Sequence, residues 1–384
     1  MSSRSSRNPL LALPGAVAGV DGAPDSGVAA HHGDPLAEQR AIDRGAAVVD
    51  RSHRELISVT GEDRLSWLHL LLTQHVSELP ERSGTEALVL DHNGRVQHHA
   101  VLSHVTDTVW LDVEPGTGAA LLDYLRSMVF WSRVEPRWAT EELAVLSVVG
   151  PEAEVVLAAA EVTLPGQPYA SVPLAGGGLV RRMPWPGQDA ADLLVPRSEV
   201  LTWWRRLRSA GAAAAGMLAF EALRVEALRP RLRIDTDERT IPHEVGWIGS
   251  AVHLAKGCYR GQETVARVAN LGRPPRRLVL LHLAAGDEPF PAPGDPVTLD
   301  GCTVGRVGTA ALHHELGGVA LALVKRSVLA DAELLAGALG EGAAPATIDP
   351  DSIRADDQGE QPGRAARLRA GRLVPGSRPR TEKR

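Results

Sequence analysis

An α+β chain of two or three domains is what the sequence predicts, and three observations carry that expectation. At 384 residues, with 44% apolar and 23% charged side chains, the chain can bury more than one core of ordinary globular composition. Short strands and amphipathic helices alternate from Leu56 to Phe130, and the alternation restarts at Leu143. Beyond Arg273-Pro274-Pro275 only short strands follow, which reads as a small closed or sandwiched β unit.

The elements follow in order. Residues 1–35 are Ser-, Gly-, Ala- and Pro-rich without periodicity, and disorder is expected there. Leu56 to Val59 reads as a strand, after which Thr60 caps a helix with Asp63 at the reciprocal capping-box position; Leu65, Leu68, Leu71 and Leu72 form its buried stripe. Ala87 to Leu90, a turn at His92-Asn93-Gly94 and a strand from Arg95 to Val105 make a hairpin, because Asn-Gly supplies the positive φ a tight turn needs. A strand at Val109 to Val113 and a helix at Leu121 to Phe130 complete the first unit. The second runs strand (Leu143 to Val149), helix (Glu152 to Ala160), three strands near 170–174, 179–185 and 193–195, and helix (Ser198 to Leu207). An alanine-rich link at 212–215 leads to a helix carrying Leu218, Leu223, Val225 and Leu228, stopped by Pro230. Strands are expected at 278–283, 296–299, 303–309 and 318–324, and residues 346–384 read as a disordered basic tail.

Composition narrows function. A net charge of −6 argues against direct tRNA binding, since nucleic-acid affinity rests on cations. Two cysteines, Cys258 and Cys302, fit a reducing cytoplasm and cannot alone supply four thiolates for a zinc or cluster site. No apolar run approaches the ~20 residues that cross a bilayer, so no membrane role is expected. The Leu10-Leu11-Ala12-Leu13 run is too short for a secretory segment. There is no phosphate-binding loop and no dinucleotide fingerprint. His98 and His104 point to one face of their strand and His99 to the other, so they do not converge at ligand spacing and no bound metal is predicted.

The octapeptide Lys256-Gly257-Cys258-Tyr259-Arg260-Gly261-Gln262-Glu263 concentrates the chemistry. Gly261 or Gln262 begins a short helix reaching Gly272, with Glu263 in its first turn. Cys258 then lies ahead of a positive helix end between Lys256 and Arg260, and all three favour a thiolate. A small buried hydrophobe is the other reading of such a cysteine.

This octapeptide resembles the Lys-Gly-Cys-Tyr-x-Gly-Gln-Glu signature of the YgfZ-type folate-binding proteins, relatives of the glycine cleavage T protein (aminomethyltransferase). Val59-Thr60-Gly61-Glu62-Asp63-Arg64, Leu90-Asp91-His92-Asn93-Gly94-Arg95-Val96, Ile241-Pro242-His243-Glu244 and Ala322-Leu323-Val324-Lys325-Arg326 support it, so the resemblance spans Asp50 to Arg326. It implies a three-domain ring around a folate channel, two α+β domains plus a C-terminal β-barrel-like domain. In this chain these would be residues 36–140 with 216–272, residues 141–211 as a ferredoxin-like unit, and residues 273–345.

The same resemblance implies tetrahydrofolate or a derivative as cofactor. Glu226, in Leu223-Arg224-Val225-Glu226, would hold the pterin, with Arg224, Tyr259, Gln262 and Glu263 around the folate. Cys258 would be a functional thiol assisted by Lys256 and Arg260. Where the T protein carries paired aspartates after a Gly-Gly turn, this chain has His98 and His99, which speaks against aminomethyl transfer. The expected function is therefore a cytoplasmic folate-binding accessory protein supporting iron–sulfur cluster assembly or repair in client enzymes, including tRNA-modifying radical enzymes. A folate-dependent one-carbon transferase is the alternative.

Overall fold

The computed structural model describes residues 8–187, 189–284, 290–338 and 343–354. Strands β1 (Val17–Ala18) and β2 (Ala29–His31), helix α1 (Pro35–Arg44) and strand β3 (Ala47–Asp50) come first. Strand β4 (Glu55–Thr60), helix α2 (Arg64–Leu71), strands β5 (Ser83–Leu90), β6 (Val96–Val105) and β7 (Thr108–Val113), helix α3 (Gly118–Ser127) and strand β8 (Glu135–Trp138) follow. These form a five-stranded antiparallel sheet ordered β5-β6-β7-β4-β8. One face packs on α2 and α3 through Trp67, Leu68, Leu71, Leu121 and Leu125.

The middle unit contains β9 (Leu143–Val149), α4 (Ala153–Ala159), β10 (Ser171–Pro173), β11 (Leu179–Met183), β12 (Ala190–Pro196), α5 (Val200–Ser209) and β13 (Ala213–Ala215). Its six-stranded sheet is ordered β10-β11-β12-β9-β3-β13, with β13 parallel to β3. This differs from the expected domain boundaries, because β3 and β13 lie outside 141–211 yet complete the middle sheet. The alanine-rich link is thus a strand, and its side chains are small enough to pass beneath α1 and α6 (Met217–Glu226).

Helix α7 (Gln262–Leu271) precedes the last unit. There β14 (Arg276–Leu283), β15 (Pro296–Leu299), β16 (Cys302–His313), β17 (Gly317–Lys325), β18 (Leu334–Ala336) and β19 (Ala344–Ile348) close a barrel, β19 pairing back onto β14. The last two strands were not foreseen; they carry structure past residue 345, and Ile353 packs in the barrel core. The remainder of the expected basic tail, 355–384, lies outside the described residues.

Two further expectations are corrected. The segment 8–33 is structured: Asn8 caps a 3-10 helix at Pro9–Ala12, its side-chain amide donates to Asp50, and Leu10 is fully buried with α5 and the middle sheet. This short apolar run anchors a strap on the middle unit. Thr60 does not cap α2, which begins at Arg64 behind Asp63; the Asp63 carboxylate instead accepts from the Arg133 backbone N–H at 2.7 Å.

The second face of the five-stranded sheet positions the site. Leu56 and Val105 meet Val145, Leu179 and Leu194 of the middle sheet. Leu88, Leu90 and Val96 meet Trp247, Tyr259 and Val265, and through them Leu278, Leu321 and Leu323 of the barrel. Between these contacts, charged side chains replace apolar ones.

Candidate functional site

Those charged side chains line a chamber at the junction of the units. Arg51, His53 and Arg54 follow β3, Glu86 comes from β5, His99 from β6 and Glu114 from the end of β7. Met217, Phe220, Glu221 and Arg224 come from α6, Arg229 and Arg231 from the loop after it, and Trp185 and Trp247 supply aromatic walls. The free space is about 20 Å³, room for about one water.

The buried charges of the chamber are paired, as desolvation requires. Arg54 bonds Asp112 and, at 2.6 Å, Glu114. Arg181 joins Asp112 to Asp192, and Arg51 reaches Asp192 at 3.3 Å. Arg224 makes a bidentate pair with Glu221 (2.9 and 2.7 Å) and reaches Asp235 and Thr309, tying α6 to the barrel. Burial by itself would raise the Glu114 pKa, but Arg231 and Arg54 hold its carboxyl well below the usual range.

Glu86 is the hub on the sheet side. It is 2% exposed and accepts from Tyr169 Oη, Trp185 Nε1 (3.1 Å), His99 Nε2 (3.1 Å) and Arg229 (3.4 Å). Burial pushes its pKa up, but His99, Arg229 and Tyr169 outweigh that and hold it at about 2. The His99 ring stacks on Trp247, centroids 4.9 Å apart and planes 11° from parallel.

The octapeptide lies outside this chamber and touches it through Trp247, whose cluster includes Tyr259 and Val265. Gly261 has φ +82°, and a Cβ there would sit 2.5 Å from the Asp91 carbonyl oxygen and 2.9 Å from Gly94 Cα. Two glycines thus meet where the octapeptide docks on the Asn93-Gly94 turn. Cys258 and Arg260 are exposed, and α7 starts at Gln262 as the sequence predicts.

Several expected site residues are placed elsewhere. Lys256 does not flank the Cys258 thiol with its charge. Its ammonium is buried under α2, donating to the Leu72 carbonyl at 2.5 Å and to that of His69, 5.3 Å from the Tyr259 ring centre; burial draws its pKa down to about 8. Gln262 bonds the Lys256 carbonyl at 3.2 Å, and Glu263 pairs with Arg267 on the exposed face of α7. Arg224 and Glu226 are not brought together. Residues two apart on a helix face opposite ways, so Arg224 is in the chamber wall while Glu226 is 49% exposed on the outer surface, 3.3 Å from His313. Glu221, three residues before Arg224, shares its face and takes the position expected for Glu226.

Of the two histidines after the hairpin turn, His99 enters the chamber. His98 stacks on Tyr124 on the opposite face, where burial and Arg233 lower its pKa to about 4. Glu86, Glu114, Glu221, Arg231 and the two tryptophans were not singled out from sequence. Glu86 and Asp112 inside apolar strands were the available signal, since a carboxylate at a core position requires a buried partner.

Comparison with known proteins accords with this architecture. Residues 29–256 match the GCVT N-terminal domain family, and residues 276–354 match the CAF17 C-terminal β-barrel domain. A chloroplastic protein of Arabidopsis thaliana named as a transferase is 28% identical over 279 residues, 70% of this chain and 62% of that protein, so this chain spans less than two thirds of it. An aminomethyltransferase of Rubrobacter xylanophilus is 31% identical over 323 residues, 82% of this chain and 84% of that protein. The crystal structure of the glycine cleavage aminomethyltransferase T of Bartonella henselae superposes with a TM-score of 0.76 at 18% identity, covering 90% of this chain and 96% of that one, which is a likeness of fold. The chain therefore belongs to the GCVT family and carries a CAF17-type C-terminal β-barrel.

Proposed function

We propose that the chain is a reduced-folate-binding accessory protein, that tetrahydrofolate or a derivative binds in the central chamber, and that it supports iron–sulfur cluster assembly or repair in client enzymes of the cytoplasm. The observation that carries the folate part is the chamber's lining: a buried carboxylate, Glu86, held by the edge N–H of Trp185 and by His99, with Trp185 and Trp247 in the same wall. A carboxylate accepts the paired N–H groups of a pterin's amino-pyrimidinone edge, and flat aromatic walls suit a flat ring. Folate, when bound, supplies a carrier for one-carbon units; Glu86 would orient it and His99 would stand beside it. With about 20 Å³ free the chamber must widen to admit the ring, and the Arg229 contact, longest of the four on Glu86, is the one a pterin would replace.

The cluster role and Cys258 as a functional thiol rest on the octapeptide's resemblance and on the exposed placement of that cysteine. In a strain lacking the protein, iron–sulfur enzyme activity per unit enzyme should fall, and wild type should restore it while Cys258→Ser does not. No fall under several growth conditions would overturn this role. A second reading, a folate-dependent one-carbon transferase, is favoured by the likeness to the Rubrobacter aminomethyltransferase. His98 and His99 weigh against it, and multiple turnover with a defined aminomethyl donor would establish it.

A further inference from the structure

Two cavities meet at a single cluster of ion pairs. The inner one is the chamber, with about 20 Å³ free. The outer one is a vestibule of about 810 Å³ whose walls include Leu36, Leu218, Phe290, Pro293 and Leu312. Glu221 and Arg231 line both, so they form the partition.

Asp25 stands at that partition, reaching it from the turn between β1 and β2. Its carboxylate takes both terminal nitrogens of Arg231, at 2.9 and 2.8 Å, and bonds His53 Nε2 at 2.9 Å. The rest of the guanidinium is held by Glu114 at 2.8 Å and Glu221 at 3.2 Å. The turn reaches solvent at Val20, 79% exposed, whereas Leu10 and Val28 on either side of it are fully buried, and the Val28 N–H closes on the Asp25 carbonyl at 3.3 Å. Displacing Asp25 would move this short turn between its two anchors.

We propose that Asp25 is a tethered carboxylate latch: it occupies Arg231 and keeps the chamber shut, and the carboxylate of an amphipathic ligand entering by the vestibule displaces it. A guanidinium fork matches any carboxylate in the same bidentate way, so exchange conserves the interaction. Glu114 and Glu221 keep Arg231 oriented during the exchange. The apolar vestibule walls select a ligand whose carboxylate adjoins an apolar or aromatic body. The latch stands on geometry alone; the ligand's identity rests on the folate reading, since folates join an aromatic ring to carboxylates.

The test compares the full chain with Asp25→Ala and with Asp25→Asn, which keeps the side chain's shape. Amide hydrogen exchange over residues 20–31 and calorimetric affinity for 5-formyltetrahydrofolate are measured on each. Both variants should exchange faster there and bind about tenfold more tightly, as follows when the competent fraction rises by that factor. Saturating ligand should also speed exchange of the same segment in wild type. Unchanged exchange in both variants overturns the latch, whatever the ligand. Faster exchange with equal or weaker affinity overturns displacement. Faster exchange with no binding to any of the three proteins keeps the latch and overturns the folate reading.

Discussion

Glu86→Gln removes one negative charge from the chamber at nearly constant volume. The pKa of Glu86 is held at about 2 in the folded chain against 4.5 as the model-compound value. That difference is worth on the order of 3 kcal/mol at pH 7. Because the folded value is depressed, this stabilisation is complete above the unfolded pKa and is lost as pH falls toward the folded one. At pH 3.5 about 2 kcal/mol should remain. Glutamine cannot recover it, since with its oxygen towards Tyr169, Trp185 and Arg229 its NH2 faces His99 Nε2 and the side chain carries no charge. Urea unfolding of wild type and Glu86→Gln at pH 7 and pH 3.5 measures the gap directly. It should narrow by on the order of 1 kcal/mol on acidification. A gap that stays constant across this range would refute the reasoning, because it would show that the ionised carboxylate is not the source.

Two further outcomes follow from the octapeptide. Gly261→Ala places a Cβ against backbone atoms of the Asn93-Gly94 turn at a left-handed φ, so it should cost at least about 2 kcal/mol and be visible as a lowered Tm; an unchanged Tm would mean the octapeptide is not docked there. Cys258 and Cys302 are both exposed, so access does not separate them. The Lys256 ammonium, expected beside the thiol, is turned inward. Iodoacetamide should label Cys258 a few-fold faster than Cys302, and equal rates would remove the activated thiol.

What the sequence disclosed follows the range of each force. Period-2 and period-3.6 patterns are local, so β9 was expected with the bounds it has and α7 was expected to start at Gly261 or Gln262. Pairing between distant segments leaves no such mark. The short strands Ala213–Ala215 and Leu334–Ala336 are specified by the sheet that receives them, not by their own residues. Leu10 illustrates the same limit: its short apolar run carries no strand or helix period, and only the middle unit's core makes it an anchor. In the candidate site, the placement of His98 and His99 on opposite faces was legible because strand alternation is strict. The separation of Glu226 from Arg224 was legible by the same logic, since helical spacing puts Glu221 and not Glu226 beside Arg224. The burial of Lys256 was not legible, because its partners are backbone carbonyls about 185 residues earlier in the chain.

The central claim is that the chamber around Glu86 binds a reduced folate. Calorimetric titration of 5-formyltetrahydrofolate into wild type, Glu86→Gln and Glu226→Ala tests it most directly. Glu86→Gln should remain folded, since typical domains hold ~5–15 kcal/mol. The account predicts binding to wild type, the same affinity for Glu226→Ala, and a loss of ~1.5–3 kcal/mol for Glu86→Gln, the range of a charged hydrogen bond. No binding to wild type, or a loss with Glu226→Ala and none with Glu86→Gln, would contradict it.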